Sequence, residues 1–177
     1  MFNKLFCIFY FYFMLSLPAF AQSLYFMPQE QNQAIKQLIS TIKSAQNTLD
    51  IAIYSFTNRE ISKAIRDTAK KGVQVRIIYD KKSNQKNNHS TIGYLAKLKN
   101  IQTCFLEGKR SQNGKYNGLM HSKMAIIDDK HLILGSANWS KSAFEANYET
   151  LAILKNKEFI QKAQKEFEAM FKECEKY

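Results

Sequence analysis

The stretch MHSKMAIIDDKHLILGSANWS, residues 120–140, consists of two apolar segments separated by the turn-forming sequence Asp-Asp-Lys. This pattern predicts two antiparallel strands joined in a tight hairpin. The segments also carry polar groups that a buried strand does not need: His121 and Lys123 in the first, Ser136 and Asn138 at the end of the second. Side chains two apart on a strand share a face, so we expect His121 and Lys123 to point the same way.

The predicted hairpin brings these polar groups to one point, because the second strand returns beside the first. An imidazole, an ammonium, a hydroxyl and an amide together suit a phosphate: the imidazole can attack phosphorus while the others bind non-bridging oxygens. A glycine just before the serine would let the backbone approach an oxyanion closely. Six fixed positions arise by chance on the order of once in 10⁵ to 10⁶ chains of this length. They are His121, Lys123, Asp128, Gly135, Ser136 and Asn138.

Strand-like and helix-like segments alternate over the rest of the chain. A strand–helix–strand–helix–strand beginning followed by a hairpin predicts an α/β fold, a mixed β-sheet flanked by helices on both faces. The length of 177 residues and the lack of a Gly/Ser-rich linker predict one domain. The predicted strands are 24–27, 48–56, 73–80, 101–106, 119–128, 130–138 and 147–154, and the predicted helices are 31–45, 58–72, 90–100, 140–146 and 156–175.

The motif HxKx₄Dx₆GSxN resembles the signature of the phospholipase D superfamily, and the sequence is most similar to its single-motif branch of small bacterial Nuc- and NucT-type nucleases. The segments IAIYSFTNREISKAI, KKGVQVRIIYD and NYETLAIL also resemble that branch. The resemblance implies a phosphodiesterase that forms a covalent phosphohistidine and needs neither metal nor cofactor. Members of the family act on phosphodiesters in nucleic acids or in phospholipids.

The resemblance also implies a role for each motif residue. His121 matches the nucleophile, and Lys123 and Asn138 match the pair that contacts the phosphate. Ser136 matches the hydroxyl beside them. We expect Asp128, in the hairpin turn, to support the catalytic set without transferring protons.

Glu149 matches the family carboxylate that orients the histidine. Independently of the family, Glu149 is the only acid in the predicted strand NYETLAIL. A carboxylate bonded to the far ring nitrogen would fix the tautomer of the imidazole and raise its basicity. The alternative is an edge-strand glutamate exposed to water.

The single motif raises a problem of number. Displacement through a covalent intermediate needs an attacking group, an acid for the leaving oxygen and a base for the returning water. One imidazole cannot attack phosphorus and protonate the opposite side in the same step, and neither His89 nor His131 has a motif role. A two-fold homodimer would bring His121 and its symmetry mate to one shared cleft. We therefore expect one composite active site per homodimer.

The first 21 residues have the pattern of a secretory signal peptide: an early lysine, an apolar run and a small-x-small end at Ala19-Phe20-Ala21. Cleavage before Gln22 is expected, with an uncleaved anchor as the alternative. Both alternatives predict export to the periplasm or cell envelope, with the protein either free or membrane-associated. The nuclease domain is expected to span 22–177. Cys104 and Cys174 would remain, either as a disulfide or as two free buried thiols.

The chain is strongly basic, with 26 Lys+Arg against 15 Asp+Glu. Loss of Lys4 with the signal peptide leaves 25 basic and 15 acidic residues, a net charge of +10. This excess favours a polyanionic partner, either nucleic acid or an anionic membrane surface. We expect the basic loops around 81–86 and 109–115 to follow a phosphate backbone.

Three functions are therefore compared. The first is an exported endonuclease that acts on DNA, single- or double-stranded, with RNA as a further substrate. The second is a phospholipase that acts on anionic lipids such as cardiolipin, against which the chain shows no amphipathic insertion segment. The third is a nucleic-acid-binding protein with an inactive site, against which the complete motif argues. The absence of a Cys/His cluster argues against structural zinc.

Overall fold

A computed structural model describes residues 22–177. The predicted signal peptide, 1–21, lies outside the described residues. The elements in chain order are β1 (Ser23–Met27), α1 (Gln31–Lys43), β2 (Thr48–Ile53), α2 (Arg59–Lys70), β3 (Gln74–Asp80), α3 (Lys81–Asn84), α4 (Ile92–Leu95), β4 (Ile101–Leu106), β5 (Lys123–Ile127), β6 (His131–Gly135), α5 (Lys141–Glu145), β7 (Glu149–Leu154), α6 (Lys157–Glu173) and β8 (Glu175–Lys176).

The strands form one mixed sheet in the order β1-β7-β6-β5-β2-β3-β4-β8. The β2–β3 and β3–β4 pairs are parallel, and the other neighbours are antiparallel. Helices α1 and α2 cover one face over a large apolar core, and α6 packs on the other face over a smaller one. The predicted α/β fold, with helices on both faces of a mixed sheet, is confirmed.

The predicted hairpin is present, but its first strand is shorter than expected. Asp128 and Asp129 adopt left-handed backbone angles, φ 48° and 51°, as a two-residue hairpin turn requires. Strand β5 begins at Lys123 instead of at 119, because its partner β2 ends at Ile53, which pairs with Lys123. The prediction that His121 lies in the strand is therefore wrong, and its contact with Lys123 has another cause.

Other boundaries also differ from the predictions. Strand β2 ends three residues before position 56, and the predicted helix 90–100 is reduced to the short α4. The loop after β3 contains the helix α3, which the sequence analysis missed. The Asp80 carboxylate starts this helix by accepting a hydrogen bond from the backbone N–H of Ser83.

Two kinds of contact attach α6 to the sheet. Cys104 in β4 and Cys174 at the end of α6 form a disulfide, with their Cα atoms 5.7 Å apart. In the chain-entropy view, closing a loop of this length stabilises the fold by about 4 kcal/mol. The Arg76 guanidinium in β3 donates hydrogen bonds to the buried Asp50 and to Glu168 of α6. These two carboxylates raise the pKa of the guanidinium. Of the two alternatives for these cysteines, a disulfide or two free thiols, the structure contains the disulfide.

Within residues 22–177, none of the helices has the length and apolar character that crossing a membrane requires.

Candidate active site

The motif residues meet at one edge of the sheet. His121 lies two residues before the start of β5, Ser136 directly follows β6, and Glu149 begins β7. Since β5, β6 and β7 are antiparallel neighbours, the start of β5, the end of β6 and the start of β7 lie at the same edge. The carboxyl ends of β2 and β3 reach this edge as well, because β2 runs antiparallel to β5 and parallel to β3.

The pair at the centre of the site is His121 and Lys123. The Lys123 ammonium lies 2.9 Å from Nδ1 and 3.2 Å from Nε2 of the His121 ring, and it donates to the His121 carbonyl oxygen at 2.7 Å. Lys123 is buried, with 7% of its surface exposed, while His121 is exposed. A fixed cation beside an accessible imidazole suits attack on an anionic phosphate.

Burial and the nearby acids shift the pKa of Lys123 in opposite directions, and burial has the larger effect. Burial lowers the pKa of the ammonium, while the carboxylates of Glu149 and Asp80 act in the opposite direction. Asp80 is fully buried and accepts hydrogen bonds from the backbone of Met120 at 3.0 Å and of Ser83. It therefore holds the segment before His121 and supports the lysine charge from inside the protein.

Tyr54, just after β2, is a site residue to which the sequence analysis gave no role. Its ring centroid lies 4.3 Å from that of His121, and the Lys123 ammonium lies 5.0 Å above the same ring. The second contact has the geometry of a cation–π interaction. The Tyr54 backbone N–H also donates to the Ser122 carbonyl at 2.8 Å. Tyr54 thus fixes His121 and Lys123 relative to each other, a constraint that β-pairing does not supply.

Asn84, in α3, is a second residue that the sequence analysis missed. It is 1% exposed, and its amide donates to the carbonyl oxygens of Tyr54 at 2.7 Å and Asp80 at 2.8 Å. Asn84 thereby joins the ends of β2 and β3 beneath the site. The sequence offered a signal for Asp80, the acid at the end of the strand VQVRIIYD. It offered none for Asn84, which lies in a segment that the sequence analysis interpreted as a polar loop.

Glu149 occupies the site but does not bond to His121. Among the described residues, its carboxylate accepts hydrogen bonds from the Ser136 hydroxyl and the Asn147 amide. Ser136 in turn accepts a bond from the backbone N–H of Thr150 at 3.0 Å. The expected direct Glu149–His121 hydrogen bond is absent from this geometry, because the Lys123 ammonium is the group that contacts Nδ1.

Asn138 follows Ser136 by two residues and has an unpartnered amide oxygen. Its Oδ1 atom is buried and has no hydrogen-bond partner within residues 22–177. The next residue, Trp139, is fully buried and is held by backbone bonds from Thr57 and Asn58 to its carbonyl. A buried polar atom without a partner costs free energy. An amide oxygen only accepts hydrogen bonds, so a phosphate oxygen at this position would be bound by the Nδ2 group of Asn138.

Asp128, predicted in the catalytic set, lies at the opposite end of β5 from His121. At about 3.3 Å per residue, the strand separates the two by roughly 20 Å. Its carboxylate accepts hydrogen bonds from the backbone N–H groups of Gln46, Asn47 and Thr48. Burial alone would raise the pKa of this carboxyl, but the three N–H groups together hold it below its usual value. Asp128 ties the hairpin turn to the start of β2 and has no contact with the reacting groups.

The structure also corrects the reason for Gly135. A Cβ atom at this position would overlap the Thr150 carbonyl of β7. Glycine is required here for the close pairing of β6 with β7, whereas the sequence analysis had expected it to admit an oxyanion.

The predicted phosphate track along the basic loops is only partly available. Lys81 forms a salt bridge with Glu175 at 2.6 Å, and Lys109 pairs with Glu173. The Arg110 guanidinium donates to the Gly114 carbonyl within its own loop. These contacts occupy cations that the sequence analysis had reserved for phosphates, because the acidic end of the chain folds back beside both loops.

Residues 38–171 match the family described as cardiolipin synthase, PLD-like domain. The chain belongs to the phospholipase D superfamily. NucT from Helicobacter pylori has 49% sequence identity with it and a TM-score of 0.87, over 89% of this chain and 99% of that one. A phospholipase D family member, Nuc from Salmonella typhimurium, shares the fold, with a TM-score of 0.74 at 24% identity over 89% and 97% of the two chains.

Curated proteins that are similar to this chain include mitochondrial cardiolipin hydrolases. Those of Mus musculus and Danio rerio are 29% and 31% identical over 140 residues, 79% of this chain. The chain spans 59% and 58% of the length of these two relatives. The family prediction made from the motif is confirmed.

Proposed function

We propose that the protein is an exported, metal-independent endonuclease that hydrolyses phosphodiester bonds in DNA through a phosphohistidine intermediate. The observation that carries the proposal is the exposed His121 imidazole in contact with the buried Lys123 ammonium at the edge of the sheet where Ser136 and Glu149 also lie. The high identity to NucT over nearly the whole of that chain supports a nuclease. The net charge of +10 without the first 21 residues supports a nucleic-acid substrate, with RNA as a second one.

The proposed reaction has two steps. The His121 imidazole forms a bond to phosphorus as the bond to the leaving oxygen breaks, and an imidazolium on the opposite side gives that oxygen its proton. Water then attacks phosphorus, the now neutral second imidazole takes its proton, and the phosphorus–nitrogen bond breaks. Lys123, the Nδ2 group of Asn138 and the Ser136 hydroxyl, which must first release Glu149, bind the non-bridging oxygens. Glu149 acts on the imidazole through the charge of Lys123.

The second imidazole is proposed to come from a second copy of the chain. His131 pairs with Ile127 beside the hairpin turn, at the far end of β6 from Ser136. His89 lines a separate cavity, between α2 and residues 88–97. His131 is therefore far from any leaving group at His121, His89 has no contact with the motif residues, and the sequence contains only these three histidines. A two-fold dimer that opposes the two copies of His121 would complete the site.

An exposed apolar surface beside the site supports this dimer. We call it the α6-face patch; it consists of Leu24, Phe26, Leu134 and Phe159, which are 38–55% exposed. Leu24, Ala152 and Leu134 are direct neighbours across β1, β7 and β6, so the patch is continuous on one face. Leu134 lies two residues before Ser136. Burial of this surface by a second copy would place both copies of the motif close together.

Export to the periplasm or cell envelope is supported by two features. The first 21 residues have the signal-peptide pattern, and Cys104 and Cys174 form a structural disulfide. Structural disulfides are rare in reducing compartments and common in exported proteins. Association with an anionic membrane surface is compatible with the positive charge.

A second candidate function is hydrolysis of anionic phospholipids such as cardiolipin. It is favoured by the family description and by the names of the curated relatives. A cationic phosphodiesterase site serves either substrate, so a direct comparison of substrates decides between them.

The substrate experiment compares single-stranded DNA, plasmid DNA, RNA and cardiolipin vesicles, each incubated with purified protein in excess EDTA. We expect cleavage of DNA at the rate seen without EDTA, since no group of three or more His, Cys, Asp or Glu within residues 22–177 is placed to hold a metal ion. Activity lost on chelation and restored by Mg²⁺ or Zn²⁺ would contradict the mechanism. Hydrolysis of cardiolipin with intact DNA would favour the second candidate.

A further inference from the structure

A cavity of ≈ 560 Å³ lies between α2 and residues 88–97, outside the catalytic set. We call it the α2 pocket. It is open to solvent, and no acidic side chain lines it. The lining residues that matter here are Arg59, Lys63, His89, Ser90, Tyr94 and Lys97.

The α2 pocket has cations that are free to bind a ligand. Arg59, Lys63 and Lys97 form no salt bridge with any residue of the described chain, in contrast to Lys81 and Lys109 of the expected track. Three uncompensated cations around one concave surface repel one another and attract an anion. The cavity is therefore better suited to phosphate than the loops that the sequence analysis had selected.

A short series of contacts connects the α2 pocket with the catalytic histidine. The hydroxyl of Ser90, in the pocket wall, donates to the side-chain Oδ1 atom of Asn84 at 2.9 Å. Asn84 bonds to the Tyr54 carbonyl, and the Tyr54 ring packs against His121. The pocket thus lies beside the catalytic edge of the sheet, separated from His121 by two residues in series. A strand whose phosphate is at His121 can continue into it.

The chemistry of the walls indicates a nucleic-acid strand. Tyr94 is 44% exposed and offers a ring face for a base, beside the cations that would bind the phosphates. We propose that the α2 pocket is a phosphate-binding subsite for the part of a DNA strand that flanks the cleaved bond. The proposal rests on the proposed nuclease function and extends it to a second position on the substrate.

The test is a triple variant, Arg59→Ala with Lys63→Ala and Lys97→Ala, assayed on a long single-stranded oligonucleotide and on bis(p-nitrophenyl) phosphate. We expect the KM for the oligonucleotide to rise about tenfold or more, because three phosphate contacts are lost. The slope of log affinity against log salt should decrease in magnitude by about two. Hydrolysis of bis(p-nitrophenyl) phosphate, which has no flanking strand, should stay at the wild-type rate and reports that the variant is folded.

The matched control removes three lysines that lie around the C-terminal end of α2: Lys70→Ala with Lys71→Ala and Lys99→Ala. These residues line a different cavity, so the control variant has the same net charge but an intact α2 pocket. We expect its KM for the oligonucleotide to stay close to the wild-type value. Equal losses in the two variants would show a general charge effect, and no loss in the first would also overturn the subsite. Wild-type protein that hydrolyses cardiolipin and leaves the oligonucleotide intact would instead overturn the proposed function, and the subsite with it.

Discussion

Replacement of His121 with alanine is expected to lower turnover of DNA by about four orders of magnitude or more, the loss typical of a removed nucleophile. The side chain is exposed and accepts no hydrogen bond that the fold depends on, because Lys123 keeps its bond to the backbone carbonyl of residue 121. The variant should therefore fold normally and bind DNA with nearly wild-type affinity. Gel-based cleavage assays and DNA-binding titrations measure the two properties separately.

The matched control for this variant is His131→Ala. His131 is at the other end of the hairpin, where burial lowers the pKa of its imidazole, helped by the positive charge of Lys155. Its removal should leave turnover close to the wild-type value. Quenched wild-type reactions should contain labelled phosphate bound to His121 through a bond that acid breaks. This result would directly support His121 as the nucleophile. Cleavage by His121→Ala at the wild-type rate would show that the nucleophile is misassigned.

Introduction of two negative charges into the α6-face patch, as Leu134→Glu with Phe159→Glu, is expected to convert the proposed dimer to a monomer and to lower activity by about a hundredfold or more. Burial of a leucine or phenylalanine side chain contributes about 1.5–3 kcal/mol, and a buried unpaired carboxylate costs more than the side chain it replaces contributes. Both side chains already reach solvent in the single chain, at 38% and 51% exposure, so the monomer should remain folded. Sedimentation and cleavage, measured at one protein concentration, test the link between assembly and activity.

The control places two glutamates elsewhere, as Gln33→Glu with Gln37→Glu. Both positions are exposed on α1, which covers the opposite face of the sheet, and they give the same number of added charges. This variant should sediment as a dimer and keep its activity. A fully active monomer of the Leu134/Phe159 variant would contradict the shared site, and an unchanged dimer would place the interface elsewhere.

The parts of the site that the sequence predicts are those set by local spacing. Lys123 begins β5 and Ser136 follows β6, so the hairpin places these two at one edge of the sheet, with His121 only two residues away along the chain. Tyr54 and Asn84 come from other segments, and only the packing of β2 against β5 and β3 brings them under the histidine. No one-dimensional pattern marks such contacts, because the residues involved are far apart in the chain.

Two sequence-based predictions were wrong because each depended on a position in space that the sequence alone does not give. Asp128 has a fixed spacing from the motif histidine, but spacing along a strand does not say which end of the strand holds the reaction. Lys81 and Lys109 were interpreted as free cations because their partners, Glu175 and Glu173, lie near the end of the chain. Their pairing depends on the position of α6, which the disulfide and Arg76 determine.

The central claim is that two copies of His121 form one active site, and subunit exchange tests it most directly. Wild-type protein and His121→Ala, carrying different tags, are unfolded together in equal amounts and refolded, and exchange is confirmed by pull-down through both tags. With random pairing, about one quarter of the dimers are wild type in both subunits. The shared site predicts activity per total protein of about one quarter of the wild-type value, because one mutant subunit inactivates the dimer. Activity of about one half, with exchange confirmed, would contradict the account, because each chain would then carry an independent site.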